Sequence, residues 1–417
     1  MNHTRRTFLK AAGAGVSIAV LGPSLDVLAA PQDGRSIVVL QLAGGNDALN
    51  TVIPFADARY RSLRPTLAIP DGEIIRLDDR IGVHPSLAKF AGLYRSGKAA
   101  FVTGVGFPSL DRSHFHCQDV WQSGIEGDAH DLHSSGGWLG RLADTYLSPA
   151  GSPLVSLAIG SKIPLGMSGH EVFPAAISDP ATFDVATDTR YADDRAPFVA
   201  ALEDLYAGMH GDESPAGMIR RYGGEMFDSI DLVKLLPPAD PLTTYPATAL
   251  GRAMSFAARS LSGPTGTRLV WVTAGGYDTH NNQLDTHAAL LSDVSESLAA
   301  FWSDAERNGF SDRVVVMGWS EFGRRAQENA SNGTDHGKAG TVFLLGGGVK
   351  GGAIYGDVPD LGSLDQGDLR NEIDFRSVYS TLIQDWMKLD PHPVLHGHFE
   401  NLGFISRGAP PRRRSAR

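Results

Sequence analysis

Four short stretches hold the residues that could do chemistry. Ser320 and Glu321 follow the apolar run Val314–Met317, and Asp335 and His336 end the polar loop behind them, between Thr334 and Gly337. Asp278 and His280 follow a second apolar run, Thr267–Thr273. Asn46, Asp47 and Asn50 follow a third, Ser36–Leu42, across Gly44 and Gly45. Arg112, Ser113 and His114 stand just ahead of the apolar spacing Phe115, Val120, Trp121. Carboxylate and imidazole together suit a divalent metal of intermediate hardness. A hydroxyl at a helix start with an arginine beside it suits a nucleophile facing a phosphate or sulfate oxygen, with His114 as a ligand or proton donor. Each residue also has a plainer reading, because N-caps and turn residues of these types stand at the same places in α/β proteins.

These positions matter only if the apolar runs are strands. Short, β-branched runs predict buried strands at Ser36–Leu42, Ala99–Thr103, Pro153–Ile159, Thr267–Thr273, Val314–Met317 and Thr341–Leu345. Helical spacing predicts helices at Pro85–Tyr94, from about Ser113, at 196–209, 215–235, 247–262 and 283–307, and at Asp374–Met387. The alternation implies a doubly wound, mostly parallel α/β sheet flanked by helices. Parallel strands end on one edge, so Asp47, Asp278, His280, Glu321, Asp335 and His336 are expected to converge there on one or two divalent ions. Asn46 and Arg324 are then candidates to meet the substrate, and Arg112 or Arg324 to steady an oxyanion. The stretch 124–137 with His130 and His133, and the run His392, His396, His398, are expected to be surface loops. Residues 160–195 read as an irregular lid. The expected organisation is one domain over 31–405, with a helical or lid insertion about 160–262, and a basic tail over 406–417.

Composition narrows the class. The chain has 417 residues, 42% hydrophobic and 20% charged, enough for a sizeable core. Its net charge of −10 argues against nucleic acid as a general partner. One cysteine, Cys117, excludes an intrachain disulfide framework and a multi-cysteine zinc site. No GxGxxG follows the first strand, which disfavours a dinucleotide oxidoreductase. Residues 1–30 carry a twin-arginine pattern, Thr4-Arg5-Arg6-Thr7-Phe8-Leu9-Lys10, then a mild apolar stretch and small residues up to Ala30. They predict export through the twin-arginine translocase to a periplasmic or external location, with the chain already folded. The apolar stretch is too short and glycine-broken for a stable membrane span.

GGNDALNTVIP (44–54), SHF (113–115), GGYDTHNNQ (275–283), SEFGRR (320–325) and TDHG (334–337), in this order behind a twin-arginine signal, resemble the exported bacterial domain-of-unknown-function family numbered fifteen hundred and one. That family is grouped with the alkaline phosphatase and sulfatase superfamily. The resemblance implies a doubly wound α/β sandwich and a binuclear metal site hydrolysing phosphate or sulfate esters, of a small molecule or a glycan. It implies Asp47 as the first-strand metal carboxylate, Ser113 near the nucleophile, Asp278 and His280 as a ligand pair, Glu321 in the next carboxylate's place and His336 as the later histidine. Zinc, magnesium, calcium and manganese are not distinguished. Two departures bear on the count of ions: Phe322 stands where a histidine ligand is expected, and the Asp278–Thr279–His280 spacing is tight. A single metal, or a catalytically inactive relative acting as an envelope scaffold or carbohydrate-binding protein, is therefore the alternative. Cys117 lacks the Cys-x-Pro-x-Arg context of a formylglycine sulfatase.

Overall fold

A computed structural model describes residues 34–147, 152–206 and 214–406. The twin-arginine segment, and all of the basic tail but Ser406, lie outside the described residues. The strands are β1 (Ser36–Leu42), β2 (Val52–Ile53), β3 (Ile75–Arg76), β4 (Gly82–Val83), β5 (Ala99–Gly106), β6 (Ser156–Ile159), β7 (Ala175–Ala176), β8 (Leu269–Ala274), β9 (Val314–Trp319), β10 (Gly340–Gly346), β11 (Ile354–Tyr355) and β12 (Ile373–Asp374). The main sheet runs β11-β5-β10-β9-β1-β8-β6-β7, with β12 also on β5, and β2-β4-β3 form a small second sheet.

β1 is central and buried along its whole length. Its side chains alternate between two cores, as the two-residue period of a strand demands. Ile37 and Val39 enter one core with Trp121, Trp138, Phe375 and Tyr379. Val38 and Leu40 enter the other with Phe90, Met254, Leu291, Val294 and Leu298. Both faces are covered by helices, which is why the strand sequences are continuous apolar runs rather than alternating ones. β1 pairs in parallel with β8 and β9, Val38 lying between Val270 and Val316.

The sheet is parallel except for β10, which runs antiparallel to both β9 and β5. Residues 320–339 join β9 to β10 without a helix, and the two strands pair antiparallel across this long loop. The loop is itself paired: Gly323 N–H donates to Lys338 O and Gly337 N–H to Gly323 O, both at 2.9 Å. Glu321 therefore lies in a hairpin arm and not at a helix start.

Three local expectations meet a different structure. The stretch 124–137 contains a helix, Ala129–Ser134, capped by the Asp128 side chain on Asp131 N–H. In the helix Ala249–Ser262, Leu250, Met254, Ala257 and Leu261 lie in the main core beside β8. Part of the stretch expected as a lid, β7, pairs with β6 at the edge of the main sheet.

Candidate metal centre

β1, β5, β8 and β9 all run the same way, and β10 begins where they end. The loops after the first four and before the last therefore meet at one edge. Gly44 makes the meeting possible: a Cβ there would lie 2.4 Å from Asp278 N, and its φ is +125°. Arg324 ties the loops together from beneath. It is fully buried, and its guanidinium donates to Gly45 O at 2.6 Å, Thr334 O at 2.9 Å and Tyr277 O at 2.9 Å, to Gly44 O, and to Asp278 Oδ1 at 2.7 Å. The expectation that Arg324 faces a substrate is thus corrected, because its donors are spent on the protein.

His114, Asp278, His280 and His336 come together at this edge. From Asp278 Oδ1 the Nε2 atoms of His280, His336 and His114 lie at 3.0, 3.1 and 3.4 Å. His280 Nε2 and His336 Nε2 are 2.9 Å apart. The other ring nitrogen of each histidine faces an acceptor. His114 Nδ1 is 2.7 Å from Glu321 Oε1, His280 Nδ1 is 3.3 Å from Asp335 Oδ1, and His336 Nδ1 is 3.0 Å from Arg112 O. Carboxylates and carbonyls only accept, so these contacts suit a hydrogen on each Nδ1, the tautomer in which the Nε2 atoms offer lone pairs to a cation among them.

In that tautomer a cation among the Nε2 atoms and Asp278 Oδ1 would offset the repulsion between their lone pairs. His114 Nε2 is in fact a buried nitrogen without a hydrogen-bond partner. Ligand bonds of 2.0–2.1 Å in a tetrahedron put the ligand atoms about 3.3 Å apart, near the distances from Asp278 Oδ1 to the three rings. His114, Asp278 and His336 form the group whose ligand atoms all lie within 4.8 Å of one another, and His280 borders it through Asp278 and His336. A histidine ligand whose far nitrogen is anchored to a carboxylate or carbonyl is the usual outer support of such a site. The donor set thus fits a divalent ion that accepts imidazole. The side chains remain partly open, with Asp278 and His280 48% and 40% exposed and His114 and His336 about half that.

Electrostatics agree with a charged carboxylate among the rings. Burial pushes the Asp278 carboxyl up, but the Arg324 guanidinium and His336 more than offset this and hold it at about 2. Glu321 is raised by burial and brought below its ordinary value by hydrogen bonds from His114 and Gln118. The bond to Glu321 raises His114, while burial lowers His336 against the pull of Asp278.

The remaining expected residues fall elsewhere. Glu321 is not brought in as a ligand: it is fully buried behind His114, and its Oε1 also accepts from Gly44 N–H at 2.9 Å and Gln118 Nε2 at 3.0 Å. Asp335 stands behind His280. Asp47 is the larger correction. Its carboxylate caps Leu49 and Asn50 and accepts from Arg64 Nη1 at 2.6 Å and Gln283 Nε2 at 2.5 Å, all out of solvent. The Arg64 guanidinium thus already neutralises the Asp47 carboxylate. Phe322 fills the remaining space, its ring 4.8 Å from those of His114 and His336. Asn46 is buried, bonded to Thr51 Oγ1 at 3.0 Å and His287 Nε2 at 3.0 Å, and does not face a substrate. Arg112 is tied to Asp368. Ser113 does stand at the head of the helix His114–Ser123, and its hydroxyl makes no capping bond. His116 turns away to Asp111 and Gly127 O. A second cluster, Asp128, His130 and Asp131, is wholly exposed and away from the strand ends.

A mostly parallel, helix-flanked α/β sheet with a His/Asp centre at its carboxyl edge defines the class. Within it, residues 243–401 match the family described as a protein of unknown function (DUF1501), a span that takes in GGYDTHNNQ, SEFGRR and TDHG. GGNDALNTVIP and SHF lie outside that span. Among curated proteins no sequence matches the chain. Among solved structures the chain is similar to the PsFucS1 sulfatase from Pseudoalteromonas sp., at 10% identity and a TM-score of 0.42, over 94% of this chain and 78% of that one. It is also similar to Ps i-CgsB in complex with k-i-k-neocarrahexaose, at 11% identity and a TM-score of 0.41, over 88% and 75%. A third likeness is to the phosphonate monoester hydrolase SpPMH from Silicibacter pomeroyi, at 10% identity and a TM-score of 0.37, over 91% and 78%.

Proposed function

We propose that this chain is an exported hydrolase of phosphate or sulfate esters, of a small molecule or a glycan, that depends on one divalent metal ion held by His114, Asp278, His280 and His336. The observation that carries the reading is the inward convergence of three imidazole Nε2 atoms on Asp278 Oδ1, each with its Nδ1 anchored on an acceptor. An ion there supplies positive charge that polarises a phosphoryl or sulfuryl oxygen. The chain's own residues do the rest. Glu321, Asp335 and the Arg112 carbonyl hold the rings in register. The N–H groups at the head of the helix His114–Ser123 favour an anionic ester. Ser113, whose hydroxyl is not spent on capping, is the nucleophile of this reading. The twin-arginine pattern supports export through its translocase.

One observation favours a second reading. Arg64 neutralises Asp47 and Phe322 packs between two histidines, so the two-ion clamp of an in-line displacement is missing. On that reading the ion is structural and the chain binds a glycan or an envelope partner. The test is elemental analysis of purified protein after zinc loading, followed by a panel of phosphate and sulfate esters with and without chelator. One zinc per chain, with chelator-sensitive turnover that is lost in Ser113→Ala, supports the hydrolase. One zinc without turnover, alongside glycan binding, supports the second reading. Absence of stoichiometric metal overturns the hydrolase, and glycan binding by that metal-free protein supports an inactive binding protein.

A further inference from the structure

We infer that Asp368 is a positioning residue for the metal centre: through Arg112 it holds the backbone whose carbonyl orients His336. The inference rests on the metal reading above. Arg112 has φ +65°, a left-handed conformation that a residue with a side chain rarely takes, and it is neither asparagine nor glycine. Its carbonyl is the acceptor for His336 Nδ1 at 3.0 Å. If the residue relaxed to negative φ, the peptide would rotate and that acceptor would turn away. His336 would then be free to carry its hydrogen on Nε2, the atom that must present a lone pair.

The side chain of Arg112 supplies the restraint. Its Nη2 donates to Asp368 Oδ2, and Asp368 is completely buried. Asp368 is itself held firmly. It closes a tight turn with Asp365, the two exchanging backbone bonds at 2.9 and 3.0 Å across Gln366 and Gly367, both at positive φ. The turn is pinned to the hairpin arm on three points. Ala326 N–H donates to Gly367 O at 3.2 Å, Arg325 Nη2 to Gln366 O at 2.6 Å, and Arg325 Nε to Asp368 Oδ1 at 3.3 Å. Lys338 adds an ion pair to Asp365 at 2.6 Å. The buried carboxylate therefore does not follow Arg112; Arg112 is held by it. A segment some thirty residues beyond the last ligand thus sets a ligand's tautomer without touching it.

The experiment compares four full-length proteins: wild type, Asp368→Asn, Arg112→Gly and the double variant. Zinc affinity is read by competition with a chromophoric chelator, and the His336 tautomer by imidazole nitrogen shifts in the metal-free proteins. Asp368→Asn leaves one acceptor oxygen for two guanidinium groups, Arg112 and Arg325, and turns an amide NH2 toward the other; it is expected to lose about 10–100-fold in zinc affinity and to shift His336 away from the Nδ1–H form. Glycine takes positive φ at no steric cost, so adding Arg112→Gly should recover part of the loss in both readouts. A carboxylate that merely supports the fold would lower the melting temperature and would not be rescued by glycine. Wild-type affinity and tautomer in Asp368→Asn, or a double variant no better than the single one, overturns the inference. If wild type takes up no zinc, the metal reading fails, and the tautomer readout still decides whether Asp368 holds His336.

Discussion

Replacing Gln283 with leucine tests whether the two ligand loops are held by one buried side chain. Gln283 is fully buried, and its Oε1 accepts from Thr279 Oγ1 at 3.0 Å and Thr334 Oγ1 at 2.6 Å. Thr279 separates Asp278 from His280, and Thr334 precedes Asp335 and His336. Its Nε2 donates to the Asp47 carboxylate at 2.5 Å. Leucine fills a similar volume and makes none of these bonds. One bond to a charged group and two between neutral groups amount to about 3–5 kcal/mol of stability. Freed hydroxyls on both loops should also cost about 10–100-fold in zinc affinity. Denaturant unfolding at pH 7 gives the first number and chelator competition the second. Gln283→Glu is the control that isolates charge. It keeps an acceptor for the threonines but sets a second carboxylate against Asp47, which raises the new carboxyl in the folded chain above its unfolded value. Its added destabilisation should be absent below about pH 4 and grow as pH rises toward 7, while the leucine variant's offset should change only where Asp47 itself takes up a proton, at low pH, because Gln283 helps to hold that carboxyl below its ordinary value. A leucine variant within about 1 kcal/mol of wild type and equal to it in zinc affinity would refute the reasoning.

Other outcomes follow from the same structure. His84 and His287 are buried close together, ring centroids 5.9 Å apart, and burial lowers both to about 4. The unfolded rings bind protons near 6.5 and the folded ones do not, so stability should be level above that pH. It should fall as pH drops toward 4, by up to about 3 kcal/mol per ring, and His287→Phe should reduce the slope in pH-dependent urea melts. Glu321→Gln retains an oxygen for His114, Gly44 and Gln118, so it should keep zinc affinity within about tenfold. Glu321→Leu leaves His114 Nδ1–H unpaired and should lose about 10–100-fold; equal titrations for the two would contradict that role. Gly333→Ala places a Cβ 2.2 Å from the His280 carbonyl carbon, backbone that cannot step aside. It should cost more than about 2 kcal/mol in thermal or denaturant melts, whereas Gly72→Ala, with nothing nearby, should not.

Much of this was legible along the chain. Apolar β-branched runs are continuous when both faces of a strand are covered, so β1, β8, β9 and β10 announce themselves within a residue or two. Polar groups directly after such runs can be assigned to one edge because parallel strands share a direction. That reasoning places Asp278, His280 and His336 together. It fails for Asp47, which has the same context, because its partner Arg64 carries no local mark: an isolated arginine reads as surface until packing puts it beside a carboxylate. It fails for Glu321 and Arg324 too, since distance from a strand end does not say whether a side chain turns toward solvent or beneath the loops.

By itself, then, the sequence determined the layers of the fold, the edge where the loops gather and the chemical types gathered there, because periodicity and strand direction are local properties of the chain. Only the tertiary structure decided which of those groups face one another, which nitrogen of each ring points inward and which carboxylate is already neutralised by a guanidinium. Those outcomes depend on contacts between residues as far apart as Arg112 and Asp368, and short-range pattern cannot encode them.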